Sequence, residues 1–311
     1  MRYSIKSVLK SKEAGYFFSF AIGGVIQFVF GYVLTFASNY VLDKAGVGKF
    51  NYYFNLANLV VNLMSFGLYA SYIRIIGEGF DDALRKLVLS FYILISLIYF
   101  VVCYFTGLYF MMPFAFLLFF NERQYYYRSH EDTFFYLLGQ VLRGVTLLLG
   151  IAVFYYLKTI SYESLMVTVG GSYFFSSVIF FILRSKKDPS NREHNTGVLF
   201  SPKLLKQVDL KKVFSISIPT QFASMSTWLL LFSDQYIIKM YYSFEELGPY
   251  SVGMRLVVFL NIISGLFLLY YPKFYFKSIK ALQFSKIKMV RVGFFGVLFL
   301  IMLILVVFRA Y

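Results

Sequence analysis

The chain consists of repeated apolar stretches, each about as long as a membrane-crossing helix, separated by short polar joints. Crossing ~30 Å of hydrocarbon takes roughly 20 apolar residues in a helix, since hydrocarbon offers no water to satisfy an open backbone. Such stretches fall at 14–38, 50–73, 87–105, 107–120, 133–157, 161–183, 213–240, 249–272 and 289–308. The fourth is short and extends at most toward Gln124–Tyr127. The pattern predicts an all-α polytopic membrane protein with about nine transmembrane helices. The first stretch is too long for the core of a secretory signal and is followed by further crossings, so it reads as a retained helix.

The net charge of +15 points to an anionic partner, and its distribution says which kind. With a cytoplasmic N-terminus, 23 of the 30 Lys and Arg fall on the inner side: four before the first helix, three around Arg74–Lys86, two between helices 4 and 5, eight in 184–212 and six in 273–291. Lys44, Lys49, Lys158, Lys239 and Arg309 fall outside, and Arg143 and Arg255 lie within the membrane. This is the positive-inside pattern, and a basic inner face suits anionic membrane lipid rather than nucleic acid. The 67 Phe and Tyr residues are enough for aromatic belts at both interfaces. Cys103 is the single cysteine, so no disulfide is available, and His130 and His194 have no second ligand at a metal spacing. Neither a metal nor a cofactor is expected.

The polar segment 184–212 divides the chain into a first six-helix bundle (1–183), a cytoplasmic connector and the helices of 213–311. A repeat straddles it. Gly48-Lys49-Phe50-Asn51 and Gly248-Pro249-Tyr250-Ser251 each open a helix after an outer loop. Each follows a helix ending in a related stretch, Ser38-Asn39-Tyr40-Val41-Leu42 and Ser233-Asp234-Gln235-Tyr236-Ile237-Ile238. An offset near 200 residues equals six crossings, an even number, so the halves run parallel, and such transporters place their site between the halves. A full pair would take about 400 residues, so the expectation is an incomplete second bundle of three helices.

Outer loops are short, so any chemistry must sit on polar groups within the membrane, which are costly and usually face an interior or cavity. Asn51, Asn55, Asn58, Asn62 and Ser65 share an arc of ~80° on helix 2. They read either as interhelical hydrogen bonds at ~0.6 kcal/mol each or as the wall of a wet cavity. Thr220, Ser224, Thr227 and Asp234 share a similar arc on helix 7, with Ser217 and Gln221 beside it. Helix 1 carries Gly23, Gln27, Gly31, Thr35 and Ser38, so helices 1, 2 and 7 are the expected cavity lining. Arg143 falls near the membrane midplane with Gln140 on its face, Asp234 and Arg255 are a candidate ion pair, and Arg74 closes helix 2 at its inner end. A guanidinium at depth suits phosphate, because its planar fork binds oxyanions bidentately and does not deprotonate.

The run Ile218-Pro219-Thr220, Ser233-Asp234-Gln235-Tyr236-Ile237-Ile238 and Leu247-Gly248-Pro249-Tyr250-Ser251-Val252, with Gly67-Leu68 and Arg74, resembles the polysaccharide repeat-unit (O-antigen and capsule) flippases of the multidrug/oligosaccharidyl-lipid/polysaccharide exporter superfamily. The resemblance implies two six-helix bundles and a cationic central cavity in the bacterial cytoplasmic membrane. It also implies translocation of an undecaprenyl-diphosphate-linked oligosaccharide by alternating access, with no enzymatic step. Arg143, Arg255, Arg74, Asn55, Asn58, Asn62, Gln140, Thr220, Ser224 and Thr227 are then the substrate-binding candidates. Asp234, taken as the only deeply placed acid, would couple an ion. A polysaccharide polymerase and chain-length machinery are the expected protein partners. Gln235 departs from the family, which often has a basic residue after the aspartate. Three rivals stand beside this reading: a cation or drug exporter of the same superfamily, a membrane polysaccharide polymerase, and an inactive truncated remnant.

Overall fold

The computed structural model describes residues 12–75, 81–130, 132–187 and 208–254, together with 275, 284–285, 287–288, 290–296 and 299. No strand occurs among them. The helices are α1 (Lys12–Val41), α2 (Lys44–Ser65), α3 (Leu68–Ile75), α4 (Asp81–Phe105), α5 (Phe116–Ser129), α6 (Thr133–Tyr156), α7 (Tyr162–Lys187) and α8 (Leu210–Tyr241). A 3₁₀ segment, Tyr109–Ala115, leads into α5, and residues 244–254 are again helical. Two compact units result, Val25–Gly253 and Met1–Gly24 with Met254–Tyr311, and α1 runs through the division.

Polar caps decide where several helices begin. Asp43 accepts a hydrogen bond from the Gly46 amide at 2.8 Å, Asp132 from Phe135 at 3.2 Å and Asp209 from Lys212 at 3.1 Å. Each satisfies an amide that the first helical turn leaves without a carbonyl. Ser161 and Ser164 exchange backbone-to-hydroxyl bonds across the start of α7 in the same way.

Among the described residues four helices are long and apolar enough to cross a membrane: Ile22–Val41, Ala83–Phe105, Thr133–Tyr156 and Tyr162–Phe180. The chain is thus an all-helical protein with several candidate membrane spans, and the other expected crossings differ in instructive ways. The stretch 50–73 is two helices, because Phe66 (φ 49°) and Gly67 (φ 62°) take left-handed backbone conformations between α2 and α3. The stretch 107–120 starts as a 3₁₀ turn containing Pro113 and then continues as α helix to Ser129, well beyond its apolar part. α8 has the length, 32 residues, but polar groups interrupt its apolar surface. Most of 249–272 and 289–308, and residues 188–207 of the connector, lie outside the described residues.

In the larger unit α7 packs against α6, the 3₁₀ segment, α5 and α2, while α8 lies along α2 and α3. Small residues let these helices approach closely, as membrane bundles require in the absence of a hydrophobic driving force. A Cβ on Gly170 would meet Pro113 at 2.6 Å, one on Gly150 would meet Thr168 at 2.5 Å, and one on Gly144 would collide with Phe30 of α1. Tyr72, Tyr92, Phe114, Leu118, Leu147 and Leu165 are fully enclosed in the resulting core.

Candidate functional site

Breaking a helix that is packed among others frees buried carbonyls, and neighbouring helices must supply the donors. The break at Phe66–Gly67 is met in this way. Tyr92 of α4 donates its hydroxyl to the Ser65 carbonyl at 3.2 Å, and Gln221 of α8 donates its side-chain amide to the Asn62 carbonyl at 2.9 Å. The Ser65 hydroxyl donates to Gln221 Oε1 at 3.3 Å. Gly67 has to lack a side chain here, since a Cβ would lie 2.6 Å from the Ser217 carbonyl. About three turns before the break on α2, Asn55 donates to Gln235 Oε1 at 2.7 Å, with both amides buried.

The buried face of α8 is Val213, Ser217, Gln221, Trp228 and Gln235, of which Gln221 and Gln235 bond to α2. The arc picked out by spacing lies elsewhere on that helix. Thr220, Ser224 and Asp234 are half-buried and Thr227 is exposed. Thr220 and Thr227 donate to the carbonyls of Ile216 and Ala223 one turn back, and the Asp234 carboxylate accepts from the Gln235 amide. On α2, Asn51 and Asn58 donate to the carbonyls of Val47 and Phe54, while Asn62 leaves its side-chain oxygen buried and without a hydrogen bond. On this arc Asn55 and Ser65 thus hold α8, and Asn51 and Asn58 bond back onto their own helix.

Arg143 occupies a different place. It is 9% exposed, in α6, with its guanidinium 4.7 Å from the centre of the Tyr173 ring and 5.9 Å from that of Phe120. No described carboxylate pairs with it. One turn before it, Gln140 donates to Gln124 Oε1 at 3.1 Å. A desolvated cation lined by aromatic rings is chemically ready for an anion, because the ring faces offer only a cation–π attraction of ~2 kcal/mol when buried. Arg255 and its pairing with Asp234 lie outside the described residues, as does the side chain of Arg74.

The acid on which the sequence pattern was silent is Glu122. It is fully buried, with Oε1 3.2 Å from Arg85 Nε and 3.3 Å from the Tyr72 hydroxyl, which donates to it, and Oε2 3.7 Å from Arg123 Nε. The Arg85 guanidinium also lies 4.2 Å from the centre of the Tyr126 ring. Asp234 is therefore not the only acid at depth, and it is the less buried of the two. Hydropathy misses Glu122 because Asn121-Glu122-Arg123 looks like the end of an apolar stretch. The aromatic run Tyr125–Tyr127 beyond it was the available signal that the helix continues.

α1 and α8 stop at 41 and 241, and the next helices start at 44 and 244. The two turns touch reciprocally: a Cβ on Gly48 would strike the Phe244 carbonyl, and one on Gly248 the Lys44 carbonyl. Asp43 caps the first turn, whereas in the second the Ser243 amide donates to Glu246 Oε2 at 2.9 Å.

No protein-family model and no curated relative matches the chain. Its fold is similar to a solved structure named "protein A", at a TM-score of 0.68 and 15% identity, with 90% of this chain aligned on 69% of that one. That chain is accordingly about 400 residues long. At this identity the likeness speaks to fold alone.

Proposed function

We propose that this protein is a flippase that moves a polyprenyl-diphosphate-linked oligosaccharide across the bacterial cytoplasmic membrane for surface-polysaccharide synthesis. The observation that carries the reading is Arg143, a buried guanidinium beside aromatic rings with no described carboxylate for a counter-ion. A substrate diphosphate supplies that counter-charge with bidentate geometry. Amide and hydroxyl groups on α2 and α8, Asn58, Asn62, Thr220, Ser224 and Thr227 among them, would solvate the sugars, and Arg255 and Arg74 would add charge along the path. The polyprenyl chain would stay in lipid.

The paired turns at 41–50 and 241–250 support two parallel halves. Offset by 200 residues, they meet glycine against carbonyl in both directions, as a pseudo-two-fold arrangement requires. Such halves rock about a shared site, and the outer turns would be their fulcrum. The engagement of Glu122 with two arginines weighs against a cation exporter, which needs carboxylates open to its cargo.

In the native host, Arg143→Ala should abolish surface polysaccharide at near-normal protein abundance, and Arg143→Lys should restore it only in part, since an ammonium loses the fork. Normal polysaccharide in Arg143→Ala would overturn the proposal. Gly48→Val and Gly248→Val test the halves: each drives a side chain into backbone and should destabilise by about 1–3 kcal/mol or more, and to similar extents. A large cost at one glycine and none at the other, in detergent thermal unfolding, would remove the argument for symmetry.

A further inference from the structure

Around Arg143 the helices α5, α6 and α7 meet in layers one helical turn apart. In the first layer Phe120 of α5 and Tyr173 of α7 border the Arg143 guanidinium, with 5.4 Å between the two ring centres. In the third, Tyr127 of α5 meets Phe180 of α7 at 5.5 Å. Both pairs are 53 residues apart in sequence, so α5 and α7 run parallel in a fixed register and Ser177 falls opposite Gln124 in the layer between. Gln140 of α6 completes that middle layer by donating to Gln124 Oε1. Beside it Gly139 has no side chain, and a Cβ there would strike Gln124 Nε2 and the Phe180 ring, so the glycine leaves the space that the amide occupies.

Four polar atoms of these layers are left over. Gln124 Nε2, Gln140 Oε1 and the hydroxyls of Tyr127 and Ser177 are buried without a hydrogen bond among the described residues. Gln124, Gln140 and Tyr127 are no more than 5% exposed. Turning both amides over changes nothing, because two glutamines joined by one bond always leave one amide donor and one amide acceptor. Buried polar groups are nearly always paired, since each one left open costs the desolvation of that group. A bare anion would satisfy donors only, whereas a hydroxyl both gives and takes a hydrogen bond. We infer that Gln124, Tyr127 and Ser177, together with Gln140, bind hydroxyls of the sugar that carries the diphosphate. The inference rests on the reading of Arg143 as the diphosphate site. The middle layer lies one turn, ~5.4 Å, from Arg143 along the helices, so a phosphate on the guanidinium sets the attached sugar ring beside Gln124. These residues determine specificity: a site whose buried groups need a hydroxyl rejects a ligand without one, because those groups then stay unpaired. A bare polyprenyl diphosphate is thereby refused and its sugar-bearing form accepted.

The test uses the full chain purified in neutral detergent, with affinities for farnesyl diphosphate and for farnesyl-diphosphate-linked glucose measured by isothermal titration calorimetry. The wild type should prefer the glucosylated probe by about tenfold or more, the worth of one or two buried hydrogen bonds. Tyr127→Phe and Ser177→Ala each delete a hydroxyl without a described partner, so both should fold, and each should lower that preference about three- to tenfold. A loss of preference in either one supports the inference. Gln124→Leu should bring the two affinities together. If Gln124→Leu, which strands Gln140, does not fold, the two hydroxyl variants decide. Arg143→Met should weaken both probes by the same factor. An equal affinity of the wild type for the two probes, or a wild-type preference in both hydroxyl variants, overturns the inference alone and assigns these groups to internal water. Wild-type affinity of Arg143→Met for both probes overturns the diphosphate reading of Arg143 and this inference with it.

Discussion

Two arginines are buried among the described residues of the larger unit, and their surroundings differ. Arg85 is held by the Glu122 carboxylate at 3.2 Å and lies against Tyr126, while Arg143 has Tyr173 and Phe120 beside it and no described carboxylate. In a low-dielectric interior an ion pair offsets much of the cost of desolvating both partners, and a cation facing only rings remains under-compensated. On the proposed function, the difference separates a cation that holds helices together from one that binds substrate. Arg85 and Glu122 tie α3, α4 and α5 together through Tyr72, whereas no described ion pair ties Arg143 to a neighbouring helix.

Removing the charge on one partner of the paired site should have the largest effect. Glu122→Gln leaves the Arg85 guanidinium buried without its counter-charge, and loss of about 3–5 kcal/mol is expected, seen as a lowered midpoint of thermal unfolding or as protein lost from the membrane. A Glu122→Gln protein as stable as wild type would erase the contrast. At the seam of α2 and α8, Asn55→Leu strands the Gln235 amide and should cost about 1–3 kcal/mol by the same assay. Tyr173→Leu removes the nearer ring and should cost about 0.5–2 kcal/mol. The smallest stability change is expected for Arg143→Met, which deletes an under-compensated charge and should leave the unfolding midpoint unchanged or raise it. A strong loss of stability in Arg143→Met would place that residue with Arg85 as a structural cation.

The turns at 42–43 and 242–243 add a second lesson. Their backbones follow the same course, yet Asp43 caps one through its side chain and Glu246 closes the other by reaching back to the Ser243 amide. What they share is Gly48 and Gly248, each pressed against a carbonyl of the opposite turn. Close backbone approach, rather than cap chemistry, is the common requirement.

Hydropathy alone determined that this chain is helical and has several membrane-length segments, since lipid admits no other open backbone and the count of consecutive apolar residues is a local property. The ends of α1, α6 and α8 were legible to within a few residues, because their apolar stretches stop where the polar joints begin. Tertiary structure decided what a linear pattern cannot carry. The 50–73 stretch breaks at Phe66–Gly67 only because Tyr92 and Gln221, distant in sequence, satisfy the freed carbonyls. The polar arc on α2 could be read from spacing, but spacing cannot tell which amide finds a partner on α8 and which bonds back to its own helix. On α8 the buried face runs through Gln221 and Gln235 rather than Thr220 and Thr227, since a helix polar on several sides has no preferred face until a neighbour covers one. Glu122 was hidden for the complementary reason: a carboxylate looks like a loop residue in sequence, and Arg85 and Tyr72, brought to it by folding, let it stay inside beside Arg123.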